Sequence, residues 1–199
     1  MPKETGTEKT VKKSGKKRKG RRKGGFLKEF ITISIYLLSV LVLTYLLITF
    51  VVQRTVVTGE SMEPTLMDGD NLLVDKLTYR FHEPKRFDVV VFPYSGGEKS
   101  YYIKRVIGLP GETVFIDENG MIFINGSLLD ESYGKEVILS AGLAETNINL
   151  GANEYFVLGD NRNHSADSRD PSIGPVERSE IVGRAWVRTY PFKKFGKLR

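Results

Sequence analysis

The stretch TVFIDENGMIFINGSLL, residues 113–129, decides the fold class because two Asn-Gly pairs separate its short apolar runs. Asn119-Gly120 and Asn125-Gly126 both tolerate the positive φ angles of a tight β-hairpin turn. Runs of Val, Ile and Phe bounded by such turns are typical of strands. The stretch therefore predicts a small β meander.

The same pattern continues on both sides of this meander. Short runs rich in Val, Ile, Phe and Tyr, bounded by Gly, Asp, Asn and Pro, are NLLVDKL (71–77), DVVVFPY (88–94), YFVLGD (155–160) and AWVRTY (185–190). No repeat and no long amphipathic helix follows residue 53. We predict a mainly β body over residues 54–199, with a small β insertion at about 111–152. Residues 132–154 are predicted only as a loop with one short strand or helix.

An uncharged segment of 23 residues, FITISIYLLSVLVLTYLLITFVV at 30–52, precedes the body. As a helix it would be roughly 35 Å long, enough to cross a bilayer core of about 30 Å. A buried soluble helix rarely runs so far without a charge. A cleaved signal peptide has a shorter apolar region and a small-residue cleavage site, whereas VVQRTVV follows here. We therefore predict an uncleaved transmembrane anchor over residues 26–53.

The basic character of the chain belongs to its N-terminus. Residues 1–28 hold twelve Lys or Arg and two Glu, whereas the whole chain has a net charge of +6, so the rest is acidic. Residues 1–25 have almost no apolar content and are predicted to be disordered. The positive-inside rule places this arm in the cytoplasm and residues 54–199 on the other side of the membrane. Because the charge lies in a tail, it does not predict nucleic-acid binding.

Composition and spacing also limit the chemistry. The chain has no cysteine, which excludes disulfides, thiolate catalysis and thiolate metal sites. No cluster of His, Asp and Glu has metal-ligand spacing, and no glycine loop is suited to a phosphate. We predict neither a metal nor a cofactor.

Three turn-rich or apolar segments carry polar groups that could react. Ser61 lies in GESMEPTL (59–66), Lys104 in the apolar run YYIKRVIGLPGE (101–112), and His164 in the polar loop GDNRNHSADSRDPSIG (159–174). A lysine in a strand usually points to solvent, but burial lowers its pKa from about 10.4 because desolvation disfavours the ammonium. A neutral lysine can deprotonate a serine as histidine does. Each segment taken alone favours an ordinary turn or strand over a catalytic role, and His164 is a rival base.

Taken together, these segments are more specific. In this order after an N-terminal span, GESMEPTL, GDNLLVDK (69–76), YYIKRVIGLPGE and GDNRNHSADSRDPSIG resemble the bacterial type I signal peptidases. The match covers residues 57–76, 86–112 and 155–187. It implies an antiparallel-sheet catalytic domain. It also implies a membrane-bound serine endopeptidase that removes N-terminal signal peptides from exported preproteins after a small-x-small motif.

The resemblance assigns roles to individual positions. Ser61 is expected to be the nucleophile, Lys104 the general base, and Ser165 a hydrogen-bond partner that orients Lys104. Charged residues expected to support the site, the last two as an ion pair, are Asp160, Arg162, Asp167 and Arg169. Gly159 and Gly174 are expected to permit the turns of the loop. No family role attaches to His164.

The resemblance also concerns substrate binding. The backbone N–H of Ser61 is the expected oxyanion donor. Gly59 stands where some members carry a hydroxyl, and whether Thr58 or a backbone group replaces that donor is left open. Shallow apolar pockets are expected to select small side chains. Their predicted wall residues are Met62, Leu66, Ile103 and Val106.

The implied partners are signal peptides of secreted preproteins, the lipid bilayer and the export translocon. The implied location is the cell inner (cytoplasmic) membrane, as a single-pass protein. Two alternatives stay open. One is a specialised relative that serves a narrow substrate set. The other is a catalytically inactive, membrane-tethered binding protein, for which deleting residues 1–25 would abolish function while Ser61→Ala would be silent.

Overall fold

The computed structural model of the chain describes residues 23–93 and 100–198, without the side chains of residues 23–24 and 47–50. The predicted disordered arm, residues 1–25, lies outside the described residues except for its last three positions. Disorder of the arm therefore stays a prediction.

A long helix, α1 (Lys23–Phe50), contains the apolar segment. Within the described residues it is the one helix long and apolar enough to cross a membrane, over Gly25–Leu46, with a mean hydropathy of 2.0 and exposed side chains. Val52 and Gln53, which we placed at the end of the anchor, belong to the first strand instead. The β-branched residues Val52, Thr55 and Val56 favour an extended backbone there. The predicted division of the chain into arm, anchor and peptidase domain stays a prediction.

The larger sheet contains eight strands among the described residues, all paired antiparallel. Their spatial order is β1-β2-β11-β3-β4-β9-β10, and β12 pairs with β11. The strands are β1 (Val52–Val56), β2 (Asn71–Asp75), β3 (Val89–Pro93), β4 (Tyr101–Gly108), β9 (Glu154–Leu158), β10 (Val176–Glu177), β11 (Gly183–Tyr190) and β12 (Gly196–Lys197). The prediction of a mainly β, antiparallel fold is confirmed.

A smaller four-stranded sheet, in the order β7-β6-β5-β8, forms around the opening stretch of sequence. Its strands are β5 (Thr113–Ile116), β6 (Ile122–Ile124), β7 (Ser127–Leu128) and β8 (Ile148–Asn149). Both Asn-Gly turns form, with positive φ at Gly120 (75°), Asn125 (52°) and Gly126 (78°). The predicted meander is therefore confirmed.

The remaining regular structure is short. Helix α2 spans Thr78–Phe81, and single 3-10 turns cover Gly142–Glu145, Arg162–His164, Arg178–Glu180 and Phe192–Lys194. The stretch 132–154, which the sequence left undecided, contains one such turn and strand β8 between irregular segments.

Apolar packing fixes the elements that carry the polar segments. Met62 and Leu66, in the turn after β1, are buried with Leu72 and Val74 of β2. A second cluster, which includes Ile107, packs the smaller sheet against β4 and β9 of the larger one. Full burial of one such side chain contributes about 1.5–3 kcal/mol. Ile103 of β4 packs against the cluster that contains Met62 and Leu66, which places β4 beside the turn at residues 57–70.

Candidate active site

Ser61 lies in a closed turn between β1 and β2. The Gly59 N–H donates to Asp68 Oδ1 at 2.8 Å, which pins one side of the turn to the other. Met62 and Leu66 anchor it in the core, at 1% and 0% exposure. Ser61 itself stays partly exposed between these anchors. The turn is thus anchored in the core on either side of Ser61, whose side chain remains partly accessible.

Lys104 lies on β4, opposite Val90 of β3, and its side chain is 2% exposed. The interpretation of Lys104 as a solvent-facing strand residue is therefore wrong. Its Nζ is 2.7 Å from Ser61 Oγ, within hydrogen-bond distance. The same Nζ lies 5.2 Å from the centre of the Tyr102 ring. The structure joins the two residues although 43 positions separate them in sequence.

Burial lowers the pKa of Lys104 from 10.5 to about 8. The carboxylates of Asp167 and Asp160 oppose this effect by favouring the ammonium, and the Arg169 guanidinium lowers the pKa further. Desolvation is the largest cause, because a dry environment penalises the charged form. A substantial fraction of Lys104 is consequently neutral near pH 8.

The loop at residues 159–169 packs directly on the nucleophile turn. The Asn161 N–H donates to the Ser61 carbonyl oxygen at 3.0 Å, and Asn161 Nδ2 donates to the Glu60 carbonyl oxygen at 3.1 Å. The sequence had given Asn161 no role. Its position directly after Asp160 in a dense polar loop was the only available signal.

Gly159 makes this packing possible. A Cβ at Gly159 would lie 2.2 Å from Ser165 Oγ and 2.4 Å from the Ser61 carbonyl oxygen. Its backbone φ lies outside the left-handed range, so the expected reason, a special turn, is wrong: the position needs space. Gly174 does adopt a positive φ, 62°, as a turn residue would.

Ser165 differs from expectation. Its Oγ is buried and has no hydrogen-bond partner among the described residues. The expected hydrogen bond from Ser165 to Lys104 is therefore absent from this conformation. The hydroxyl instead occupies the space left by the missing side chain of Gly159.

Asp160 is paired with Arg105, a residue that the sequence had not singled out. Arg105 Nε and Nη2 donate to the two carboxylate oxygens at 2.8 and 2.7 Å. Arg105 Nη1 also donates to the Phe87 carbonyl oxygen at 2.9 Å. Because Arg105 directly follows Lys104 on β4, this pair ties the loop to the strand that carries the amine. An arginine inside an apolar strand was the overlooked signal.

The other charged residues of the loop hold it internally. Arg169 donates to both carboxylate oxygens of Asp167, at 2.8 and 2.9 Å, so the expected ion pair is present. Asp167 Oδ2 also accepts the Gly159 N–H at 3.0 Å. Arg162 Nε donates to the Gly159 carbonyl oxygen at 3.0 Å, and its Nη1 pairs with Glu131 at 2.8 Å. These interactions connect residues of the loop to each other and attach the loop to Glu131, so they stabilise the loop's conformation.

A cleft of about 310 Å³ opens beside the two reactive groups. Thr58, Ser61 and Met62 line one wall, and residues 100–104 line another. Of the four predicted pocket residues, Met62 and Ile103 line this cleft. Leu66 and Val106 do not, because both are completely buried in separate core clusters. The prediction of Leu66 and Val106 as pocket walls is therefore wrong.

His164, the rival base, is exposed. The hydrogen-bond partner of Ser61 Oγ is Lys104 Nζ. Among residues 23–93 and 100–198, no group of three His, Asp or Glu side chains is placed to hold a metal ion. A serine hydroxyl in contact with a buried amine of lowered pKa is suited to nucleophilic acyl transfer.

Comparison with known proteins gives consistent matches. A family model described as signal peptidase, peptidase S26, matches residues 28–190. A probable signal peptidase I-2 of Synechocystis sp. is 37% identical over 153 residues, covering 74% of this chain and 67% of the relative. A signal peptidase I of Leptolyngbya laminosa is 40% identical over 155 residues, covering 74% and 73%. A crystal structure of a signal peptidase I from Enterococcus faecalis V583 is 34% identical, with a TM-score of 0.40, and covers 52% of this chain and 97% of that one.

Proposed function

We propose a mechanism from the premise that this chain belongs to the peptidase S26 family of signal peptidases. Membership makes it a serine endopeptidase that cleaves signal peptides. In our proposal Ser61 is the nucleophile and Lys104 the general base. The observation that carries this assignment is the 2.7 Å contact between Ser61 Oγ and Lys104 Nζ, with Lys104 buried.

The first step transfers a proton from Ser61 Oγ to neutral Lys104 Nζ. The oxygen attacks the carbonyl carbon that ends the signal peptide, and a tetrahedral intermediate forms. The C–N bond then breaks, and the Lys104 ammonium returns the proton to the departing amine. Water, deprotonated by Lys104, hydrolyses the ester and releases the signal peptide as an acid. A pKa of about 8 supports both roles, since a base works best near the operating pH.

The developing oxyanion needs a prearranged donor. The Ser61 N–H is our candidate, because it donates no hydrogen bond within the described residues. Gly59 offers no hydroxyl. Thr58 lines the same cleft and is our candidate for the second donor.

The cleft supports selection of small side chains on the substrate. Its volume is about 310 Å³, and Met62 and Ile103 provide apolar wall. We propose that small residues of the small-x-small motif enter here. Larger side chains would have to displace wall residues that the core holds in place.

The charged and polar residues of the loop support this site in our proposal. Ser165 rotates toward Lys104 when the amine gains or loses its proton, which its unpaired hydroxyl allows. Four residues keep the loop against the nucleophile turn: Asp160, Arg162, Asp167 and Arg169.

Helix α1 supports a single membrane span by its length and composition. We propose that residues 1–25 are cytoplasmic and that residues 54–199 lie on the other side of the cytoplasmic membrane. A signal peptide inserted in the same bilayer then meets the enzyme at a raised effective concentration. The export translocon is a proposed partner on the same grounds.

The test uses the full chain in detergent with one preprotein, and mass spectrometry of the products. Wild type should release a mature protein that starts after a small-x-small sequence. Ser61→Ala and Lys104→Met should each abolish this product, whereas His164→Ala should retain it. Cleavage that persists in Lys104→Met and disappears in His164→Ala would overturn the assignment of the base. Activity that survives Ser61→Ala would reject the whole mechanism.

A further inference from the structure

The irregular segment after β7 lies against the loop that carries Asp160 and Arg162. We name residues 130–140 the strap. We propose that the strap is a positioning element for peptide cleavage: Glu131 and Tyr133 hold the loop at 159–169 where it keeps Lys104 dry and against Ser61. This inference rests on the proposed function, because it assigns the strap to the Ser61–Lys104 site.

Glu131 makes the first connection. Its Oε1 pairs with Arg162 Nη1 at 2.8 Å, and the Arg162 side chain is only 2% exposed. Arg162 in turn donates from Nε to the Gly159 carbonyl oxygen at 3.0 Å. Glu131 Oε2 accepts the Tyr133 N–H at 2.8 Å, which fixes the carboxylate on the strap. Without Glu131, the buried Arg162 guanidinium would lose its counter-charge at the point where it holds the Gly159 carbonyl oxygen.

Tyr133 makes the second connection through its ring. The Arg105 guanidinium carbon lies 3.7 Å from the centre of this ring, a close cation–π contact. The ring also packs on Phe87 at 5.1 Å between centres. Arg105 holds both carboxylate oxygens of Asp160. Tyr133 therefore covers the ion pair that joins the loop to the strand of Lys104.

Further hydrogen bonds and one ion pair connect the strap to the loop and to the nucleophile turn. The Lys135 N–H donates to the Asp160 carbonyl oxygen at 2.8 Å, and Lys135 Nζ pairs with Glu63 at 2.8 Å. Asn163 Nδ2 donates to the Val137 carbonyl oxygen at 2.9 Å. The strap thus contacts the nucleophile turn at Glu63, two residues after Ser61, and the loop at positions 160, 162 and 163.

These contacts bear on the amine itself. Burial is the largest cause of the lowered pKa of Lys104, and charges on Asp167, Asp160 and Arg169 contribute to its environment. All three of those charges lie on the loop that the strap holds. A loosened loop would admit water to Lys104, which removes the effect of burial and raises its pKa. It would also move the Ser61 carbonyl, which Asn161 holds.

The test compares full-length variants in detergent by steady-state cleavage across pH. Glu131→Gln should lower kcat on the order of tenfold to a hundredfold, as displaced catalytic groups do, with KM nearly unchanged. The midpoint of the rising limb of its kcat profile should move to higher pH, because the pKa of Lys104 rises. Glu136→Gln is the matched control, since Glu136 is exposed on the same strap, and it should behave as wild type.

Tyr133 gives an independent pair of variants. Tyr133→Phe keeps the ring over Arg105 and should retain kcat, whereas Tyr133→Leu should reproduce the Glu131→Gln effects. Thermal unfolding separates these effects from loss of folded enzyme, which lowers the amplitude of the pH profile without moving its midpoint. If Glu131→Gln does not fold, the Tyr133 pair decides.

Two results overturn the proposal. One is unchanged kcat and pH midpoint in both Glu131→Gln and Tyr133→Leu. The other is an equal loss in Tyr133→Phe and Tyr133→Leu, which would exclude the ring. Failure of the proposed function looks different, because Ser61→Ala would then still cleave. Loss of cleavage in Ser61→Ala with normal strap variants would reject only the role of the strap.

Discussion

Arg105 and Asp160 form a two-bond ion pair whose side chains are both completely buried. Arg105 follows the proposed base on β4, and Asp160 follows Gly159 in the loop that packs on Ser61. The pair therefore connects the two chain segments on which the proposed dyad depends. Both carboxylate oxygens of Asp160 accept a hydrogen bond from Arg105. Such hydrogen bonds offset the free-energy cost of removing the two charges from water.

Asp160→Asn should strongly destabilise the folded body. The substitution leaves the Arg105 guanidinium buried without its counter-charge, which costs about 3–5 kcal/mol when such pairs are broken. Chemical denaturation of the full chain in detergent measures the loss. The matched control is Glu83→Gln, because the Glu83 side chain is 72% exposed in its pair with Arg178 and surface pairs contribute at most about 1 kcal/mol. Equal effects of the two variants would contradict a special role for the buried pair.

The pH dependence of cleavage should follow the protonation of Lys104. Its pKa of about 8 lies below the ordinary 10.5, and only the neutral amine accepts the Ser61 proton. With that pKa about a tenth of the enzyme is active at pH 7 and about half at pH 8, so kcat should rise with pH and level off above about pH 9. Initial rates between pH 5 and 10 measure this. A flat profile down to pH 5, or a rate that still rises steeply at pH 10 as for an ordinary lysine, would exclude a buried lysine base.

Local chemistry made part of this structure predictable from sequence. The Asn-Gly pairs specify their own turns, so the meander at 113–129 could be read directly. The end of α1 could not, because the apolar run of residues 30–52 continues past the last helical residue, Phe50, into Val52, the first residue of β1. Helix and strand both suit such a run, and pairing of β1 with β2 decides between them.

The site was predictable only as a set of segments. Burial of Lys104 depends on packing between segments that are distant in sequence, so the strand pattern alone cannot show it. The partner of Asp160 lies 55 positions away in sequence, and no local pattern identifies it. Leu66 and Val106 were wrongly assigned to the pocket. The sequence alone does not distinguish an apolar residue that lines a cleft from one that packs in the core.

Lys104→Met should stabilise the protein at neutral pH while abolishing cleavage. Below pH 8 Lys104 is protonated in both the folded and the unfolded state, and burying its charge costs about 3 kcal/mol for a pKa lowered from 10.5 to about 8. Between pH 8 and 10.5 the folded state loses its proton first, so wild-type stability rises. Above 10.5 both states are neutral and the cost is gone.

Denaturation midpoints of Lys104→Met and wild type at several pH values measure this difference. The variant should be more stable by about 3 kcal/mol at pH 7, with the advantage shrinking between pH 8 and 10.5. Such a gain would mean that the wild-type protein is less stable because it keeps a buried lysine that cleavage requires. An advantage that does not change with pH would mean that Lys104 is not buried as an ammonium at pH 7.

Gly159→Ala should abolish most cleavage with a smaller effect on the rest of the fold. The added Cβ would lie 2.2 Å from Ser165 Oγ and 2.4 Å from the Ser61 carbonyl oxygen. The serine hydroxyl can rotate away, but the carbonyl belongs to the backbone of the nucleophile turn, so the loop and the turn must separate. A shift of about 1 Å at a reacting group can cost on the order of a hundredfold in rate. Because Asn161 holds that same carbonyl, its hydrogen bond should be lost as well.

Gly151→Ala is the matched control for Gly159→Ala. Its Cβ would meet the flexible end of Glu154 at 3.2 Å, which can move aside, so cleavage should stay close to wild type. Rates for both variants, with thermal unfolding to establish that each is folded, complete the comparison. Adding Ser165→Gly to Gly159→Ala should not restore the rate, because the clash with the Ser61 carbonyl remains. Full recovery in that double variant would locate the constraint in Ser165 and contradict the close approach of loop and nucleophile turn as the reason for a glycine here.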